Sequence, residues 1–324
     1  MRVKRLLNFI ICLIILMNKV VVGQQIILNT CYKEYSRDYY SMLIEDYGVS
    51  IVSFKEATKY DKDSVLILSV EYNNGDFPDL SSFKNLLVLF IYGDFNSLPS
   101  KAFSNKNIKG LEINCYSKHN FLKISQEITS LNQLFELNIR SVNFDVFPEI
   151  IWMLNSIESI RLQNCIINNF YCTSHNMCKL RKLEFDQCKV KNAKFGNIKD
   201  LEALTITNST IPNIDSLLIL QPSLKYLGIS GIKLENIMLD IISKISSLQC
   251  LKFINCNLKQ FPDAIIILNN LQLLMLSENK ISQFPQIISK MENLVEFWIN
   301  DNRIKYKVDL REIQKDYPQL RIIF

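Results

Sequence analysis

The chain has 324 residues, 48% of them hydrophobic and 21% charged, with 37 Lys and Arg against 32 Asp and Glu. The first 23 residues hold Arg2, Lys4, Arg5 and Lys19 and no acid, so without them 33 basic residues stand against 32 acidic ones. A balance of +1 gives no reason to invoke nucleic acid or an anionic membrane surface. With only two His, His119 and His175, and few scattered Gly, there is almost no material for a Ser-His-Asp or Cys-His arrangement or a phosphate loop. Neither a catalytic residue nor a cofactor is expected.

The N-terminus reads as a basic start, an apolar stretch and Val21-Val22-Gly23 before Gln24, the pattern of a secretory signal cleaved after residue 23. Asn8, Asn18 and Lys19 leave about 12 consecutive apolar residues, short of the ~20 that a spanning helix needs, so no membrane insertion is expected after cleavage. Residues 24–64 lack the pattern that follows and read as an N-terminal cap, with a short helix over Ser53 to Tyr60. From Val65 onward an apolar triplet recurs, beginning with Val65/Leu68/Val70 and ending with Tyr317/Leu320/Ile322, at steps of 21 to 26 residues. A fixed period in this range means one supersecondary unit stacked many times, each burying its apolar edge against its neighbours. Residues 65–324 therefore form a single solenoid. The last coil, 294–324, acts as its C-terminal cap, with a helix over Asp309 to Asp316 and a last strand from Leu320.

The clearest unit, Leu271 to Asn293, reads LQLLMLSENKISQFPQIISKMEN and resembles a leucine-rich repeat of the pattern L-x-x-L-x-L-x-x-N-x-L followed by x-x-L-P-x-x-I-x-x-L. The frame returns over Leu248 to Asn270 with Phe261-Pro262 and over Leu134 to Ser156 with Phe147-Pro148. The resemblance covers roughly residues 50–324 and implies an α/β repeat solenoid: a horseshoe with about twelve parallel strands on its concave face and short helical or irregular convex segments. It is closer to the exported bacterial type than to animal receptors, because the cysteine-clustered caps of the latter are missing. Within the frame, apolar residues alternate along each strand and point inward, while positions three, five and seven point to the other face.

The ninth position is Asn in the best units, Asn73, Asn279 and Asn302, where an inward amide can bond backbone groups of the turn. Cys165, Cys188 and Cys256 occupy the same slot and read as buried thiols, although stacked slots ~5 Å apart permit a Cys165 to Cys188 bridge. Asp94, Tyr116, Val142, Ser209 and Ile232 depart from the slot. Cys172 and Cys178 bracket a loop containing His175; three ligands fall short of the four of a structural zinc, so no metal is expected, and a local disulfide or free thiols remain open. Asn208-Ser209-Thr210 is a glycosylation sequon.

The projecting positions give the candidate site. Early strands offer Phe90 and Tyr92; middle strands offer a charged cluster of Glu136, Arg140, Arg161, Lys182, Glu184 and Asp186; late strands offer Tyr226, Met275 and Trp298. Aromatic, Met and Arg side chains on a rigid surface are residue types that anchor protein interfaces. Phe90 or Trp298 packing under a cap is the plainer alternative, and alternating charges on an open sheet speak against paired glycosidase carboxylates. The resemblance implies binding in general: an exported, non-enzymatic module, secreted, periplasmic or on the cell surface, that recognises a protein or peptide on the concave face. A structural or adhesive envelope component is the alternative, and an intracellular signalling scaffold survives only without the signal.

Overall fold

The computed structural model describes residues 39–116, 121–172, 179–305 and 311–324. The expected signal segment 1–23, Cys31, His119, His175 and Cys178 lie outside the described residues. Thirteen parallel strands form one sheet: β1 (Ile51–Ser53), β2 (Ile67–Glu71), β3 (Val88–Gly93), β4 (Gly110–Cys115), β5 (Glu136–Arg140), β7 (Ser159–Gln163), β9 (Lys182–Asp186), β11 (Ala203–Thr207), β12 (Tyr226–Ser230), β13 (Cys250–Ile254), β14 (Leu273–Met275), β15 (Glu296–Trp298) and β16 (Arg321–Ile323). Spatial order follows chain order, one strand per coil. Register is kept by the apolar frame: Leu137, Ile160, Leu183, Leu204 and Leu227 align across five neighbouring strands, and all are fully buried. A one-residue slip would turn this row out to solvent, so the frame specifies the pairing strongly.

The sheet starts earlier than the repeat frame suggests. Ile51–Ser53, inside the segment expected to be a cap, pairs with Ile67–Ser69. The expected helix after it is a single turn, α2 (Phe54–Ala57), N-capped by Ser53, whose Oγ accepts from the Glu56 N–H and donates to the Glu56 carboxylate. On the far side of the coils the chain returns through 3-10 turns at Ser100–Phe103, Glu149–Met153, Asp263–Ile267 and Gln286–Lys290, each preceded by a proline whose fixed φ suits a turn entry. Two coils use helices there instead, α3 (Ile214–Ile219) and α4 (Asn236–Ile242). In the middle a second sheet forms from β6 (Asn143–Val146), β8 (Ile166–Cys172) and β10 (Lys189–Phe195), where irregular segments were expected. Its strands bury Phe144, Ile167, Phe170, Val190 and Phe195 against the core and turn Tyr171, Lys191 and Lys194 to solvent. The last helix, α5, spans Arg311–Asp316.

Between the two sides runs the slot ladder. The Asn279 amide donates to the carbonyls of Phe253, Leu276 and Ser277, and its Oδ1 accepts from the N–H groups of Cys256 and Leu258. Asn302 repeats the pattern, donating to Leu276 and Ile299 and accepting from Ile281. The thiols serve the same purpose with a single donor: Cys165 donates to Ile139 O, Cys188 to Leu162 O and Cys256 to Ile229 O. All three are buried and none is in a disulfide; burial pushes the Cys256 thiol up to about 12 and holds Cys165 above its ordinary value. Ser209 substitutes at the departure, accepting from Cys188 N–H and donating to Thr207 O. Asn73 behaves otherwise. It is exposed, Tyr72 takes the inward place beside it, and Asn73 accepts only from the N–H of Asp94 in the next coil.

From β5 to β15 each coil leaves its strand of the main sheet through a residue with positive φ, among them Asn164, Gln187, Asn208, Gly231, Asn255 and Glu278. At Gly231 a Cβ would fall 1.8 Å from Asn208 Oδ1, so glycine lets the side chain of the neighbouring turn lie across it. Asn208, the sequon residue, is exposed.

Candidate functional site

Three rows of side chains cross the sheet on the face turned away from the core. Position five runs Phe90, Glu112, Asn138, Arg161, Glu184, Thr205, Gly228, Lys252, Met275 and Trp298, each paired with the next by strand register. Position three brings Gly110, Glu136, Ser159, Lys182, Ala203 and Tyr226 together, and position seven aligns Tyr92, Asn114, Arg140, Gln163 and Asp186. All eleven candidate side chains therefore lie on one face, in three different environments.

At the N-terminal end the face is covered by the chain itself. Helix α1 (Tyr39–Tyr47) precedes the first strand and lies over β3 to β5. Its first backbone N–H donates to Glu136 Oε2 at 2.9 Å, and Arg140 donates to the Tyr40 hydroxyl at 3.1 Å. The Tyr40 ring meets Phe90 edge-on at 5.1 Å, and the Tyr39 ring meets Phe135 at 4.8 Å. At Gly110 a Cβ would press on the Val88 side chain at 3.3 Å and meet the Tyr39 ring only at ordinary contact distance, 3.8 Å. Burial, and then the Glu136 carboxylate, push the Tyr39 hydroxyl up to about 12. Three residues of the candidate set, Phe90, Glu136 and Arg140, thus bind a segment of this chain. With nine residues α1 is roughly 13 Å long, about the span of β3 to β5, and does not reach β13 five strands further on.

The centre is a network of pairs between adjacent coils. Arg161 meets Glu184 at 3.0 Å, Lys182 shares the same carboxylate at 3.6 Å, and Gln163 donates to Asp186 at 2.8 Å. Arg140 meets Glu112 at 3.2 Å. Lys182 and Glu136 are buried, and the Arg161 and Glu184 side chains each keep 15% of their surface. Next to this row, where the strands begin, Glu202 is shared by Arg181 and Lys225, and those hydrogen bonds hold its carboxyl below the usual range although burial opposes them.

Such a face, one parallel strand per coil above an inward Asn and Cys ladder, decides the type of coil. The chain is a leucine-rich-repeat solenoid. No protein-family model matches it, and no curated protein does. Among solved structures, an internalin of Listeria monocytogenes is 16% identical with a TM-score of 0.48, the match covering 81% of this chain and 75% of the internalin. A leucine-rich-repeat protein of Leptospira interrogans is 16% identical with a TM-score of 0.36, covering 85% of this chain and all of that one. The assignment rests on the repeat geometry of the chain itself.

The C-terminal end of the solenoid face has a different character. Tyr226 is buried and carries the Lys252 ammonium 5.1 Å from its ring centroid; burial holds the Lys252 amine at about 8. Beside Lys252, Met275 and Trp298 are partly exposed. The Trp298 indole N–H is screened from water and meets no acceptor. Lys252, Glu112 and Asn114 were not in the candidate set. The same frame positions that picked out Arg161 and Arg140 would have found them. Cys172 ends β8, is buried, and has its thiol pushed up to about 12 by burial; its suggested partner Cys178 is among the residues not described.

Proposed function

We propose that this solenoid is an exported, non-enzymatic recognition module that binds a protein or peptide across the face of the main sheet, with Met275 and Trp298 as anchors beside the buried Tyr226. The observation that carries the reading is the Trp298 indole N–H, kept dry and without an acceptor on a partly exposed residue. Buried Trp N–H groups ordinarily find a partner, and a main-chain carbonyl or carboxylate of a bound protein would supply it. The signal-like residues 1–23 support export, and the scarcity of His supports a binding rather than a catalytic role. The charged centre, already paired within itself, sets register and association rate more than affinity. Glu136 and Arg140 join the interface only where α1 moves aside.

The test is capture of a partner by the mature chain, followed by binding kinetics. Trp298→Ala should weaken binding by about 30-fold or more, chiefly through faster dissociation. Arg161→Ala should act mainly on association and fade at high salt. If both variants bind like the wild type while Tyr171→Ala or Lys194→Glu on the second sheet abolishes capture, the face of the main sheet is not the binding surface.

A further inference from the structure

A pocket of about 330 Å³ opens at the N-terminal end of the same face, over β1 to β4 and next to Tyr40 of α1. Its floor is polar and its walls are rings. Phe90, Tyr92 and Tyr116 line it together with Glu112 and Asn114, and Ile51 and Ser69 complete the rim. Asn114 Oδ1 is buried and accepts no hydrogen bond. Glu112 is 7% exposed and gives one carboxylate oxygen to Arg140 at 3.2 Å. Tyr40 of α1 braces the Phe90 ring edge-on, which fixes one wall. Tyr116 is 56% exposed and Ile51 46%, so the mouth is apolar and open.

These groups select among ligands. Asn114 Oδ1 and the Glu112 carboxylate are acceptors, so the occupant must bring donors. Ring faces carry a negative quadrupole that attracts a cation and offers nothing to an anion. A neutral apolar group would leave Asn114 Oδ1 dry and unbonded, at the cost that attends any such acceptor. The volume exceeds that of a guanidinium or ammonium head, leaving space for the alkyl stem along Ile51 and Tyr116.

We propose that this pocket receives the basic head of an Arg or Lys side chain from the bound protein or peptide. The inference deepens the reading given under Proposed function and rests on it for the identity of the ligand as a polypeptide. A planar guanidinium fits better than an ammonium, because it can lie on a ring while two N–H groups reach Asn114 and Glu112.

The experiment titrates the mature chain with three short peptides identical except at one central residue: arginine, lysine and citrulline, the last being the uncharged near-isostere of arginine. Tyrosine ring resonances report occupancy. The arginine peptide should saturate, the lysine peptide should bind within a few-fold of it, and the citrulline peptide should bind about tenfold more weakly. Tyr116→Ala, at an exposed position, and Glu112→Gln should each weaken the arginine peptide several-fold, and the loss from Glu112→Gln should shrink in high salt. Absence of saturable arginine binding, equal binding of citrulline, or indifference to both substitutions overturns the pocket assignment. A partner whose capture depends on Trp298 but not on Tyr116 or Glu112 removes the pocket alone. Arginine peptide binding that persists while capture ignores Trp298 removes the wider interface and leaves the pocket standing.

Discussion

The first coils and the last coils use one repeat frame to opposite ends. Over β3 to β5 the sheet face is partly covered by the chain itself: α1 answers Glu136, Arg140 and Phe90, and Arg140 answers Glu112, while Asn114 Oδ1 and Asn138 Oδ1 stay buried without a hydrogen bond. Over β12 to β15 the face retains groups that cost free energy, a desolvated Lys252 and a Trp298 N–H without an acceptor. The slot ladder differs in the reverse sense. Asn279 and Asn302 are tied down by backbone groups on both sides, whereas Asn73 faces solvent with one backbone contact. The frame therefore fixes the scaffold most firmly beneath the part of the face that α1 leaves uncovered, as a preorganised binding surface requires.

Substitution of Lys252 tests the costly side of that contrast most strongly. A buried amine held at about 8 against an ordinary 10.5 destabilises the fold in full below pH 8, and the penalty fades between about pH 8 and 10.5, where the unfolded chain binds more protons. Stability should therefore rise from pH 7 towards pH 10, and Lys252→Met should stabilise by about 3 kcal/mol at pH 7 and by progressively less as pH approaches 10. Thermal melts at pH 7, 8.5 and 10 measure this. A destabilising Lys252→Met would mean that Lys252 is a structural element and that the two ends do not differ in this way.

Leu43 tests the covered side. It is the buried residue of a nine-residue helix too short to persist alone, so docking rather than propensity holds α1. Leu43→Ala should cost about 2–3 kcal/mol locally and speed amide exchange over residues 41–47 by about 30-fold or more, while the main melting transition stays in place. Loss of the whole transition would show that α1 is part of the cooperative core instead of a cover upon it.

The ladder contrast is read from a pair of variants. Asn279→Leu should destabilise by about 1–3 kcal/mol, since it strands buried backbone groups. Asn73→Leu should cost no more than about 0.5 kcal/mol, as a surface change does. Equal costs would erase the difference between the ends.

The smallest effect concerns Tyr39. Its hydroxyl, held up to about 12 by burial and by Glu136, keeps its proton in the folded state above the ordinary value near 10. That contribution is complete below pH 10 and is lost as pH rises towards 12, so wild type should lose under about 1 kcal/mol relative to Tyr39→Phe between pH 9 and 10.5. Exchange over α1 at the two pH values reports it, and identical pH profiles would detach Tyr39 from the cover.

Much of this was legible in the sequence. The period and the triplets such as Leu271/Leu274/Leu276 carry the sheet, and the inward Asn279 and Asn302 follow from the ninth position. Asn73 misled because Tyr72, a larger apolar side chain next to the slot, takes the inward place. The charged cluster was legible in a way the face-by-face reading passed over. Arg161 and Glu184 are one coil apart, as are Gln163 and Asp186, so register alone sets each pair side by side. The second sheet had a signal too, in the alternation of KVKNAKF at Lys189–Phe195, which lies after the frame positions. Helix α1 had none: YYSMLIEDY, Tyr39–Tyr47, buries a single leucine, and its place depends on Glu136, about 100 residues away. Such a contact is a tertiary fact that no local pattern encodes.

Spatial order that copies chain order has a consequence for how this molecule changes length. Leu273 on β14 pairs with Cys250 on one side and Glu296 on the other, and Leu274 with Leu251 and Phe297. Excising the coil Leu271 to Asn293 would bring β13 directly against β15 with the frame intact, and duplicating it would lengthen the sheet by one strand at the same register. Coil number is thus a nearly free variable, open to slippage and recombination between repeats, and a lineage can add or remove reading surface without redesigning a core.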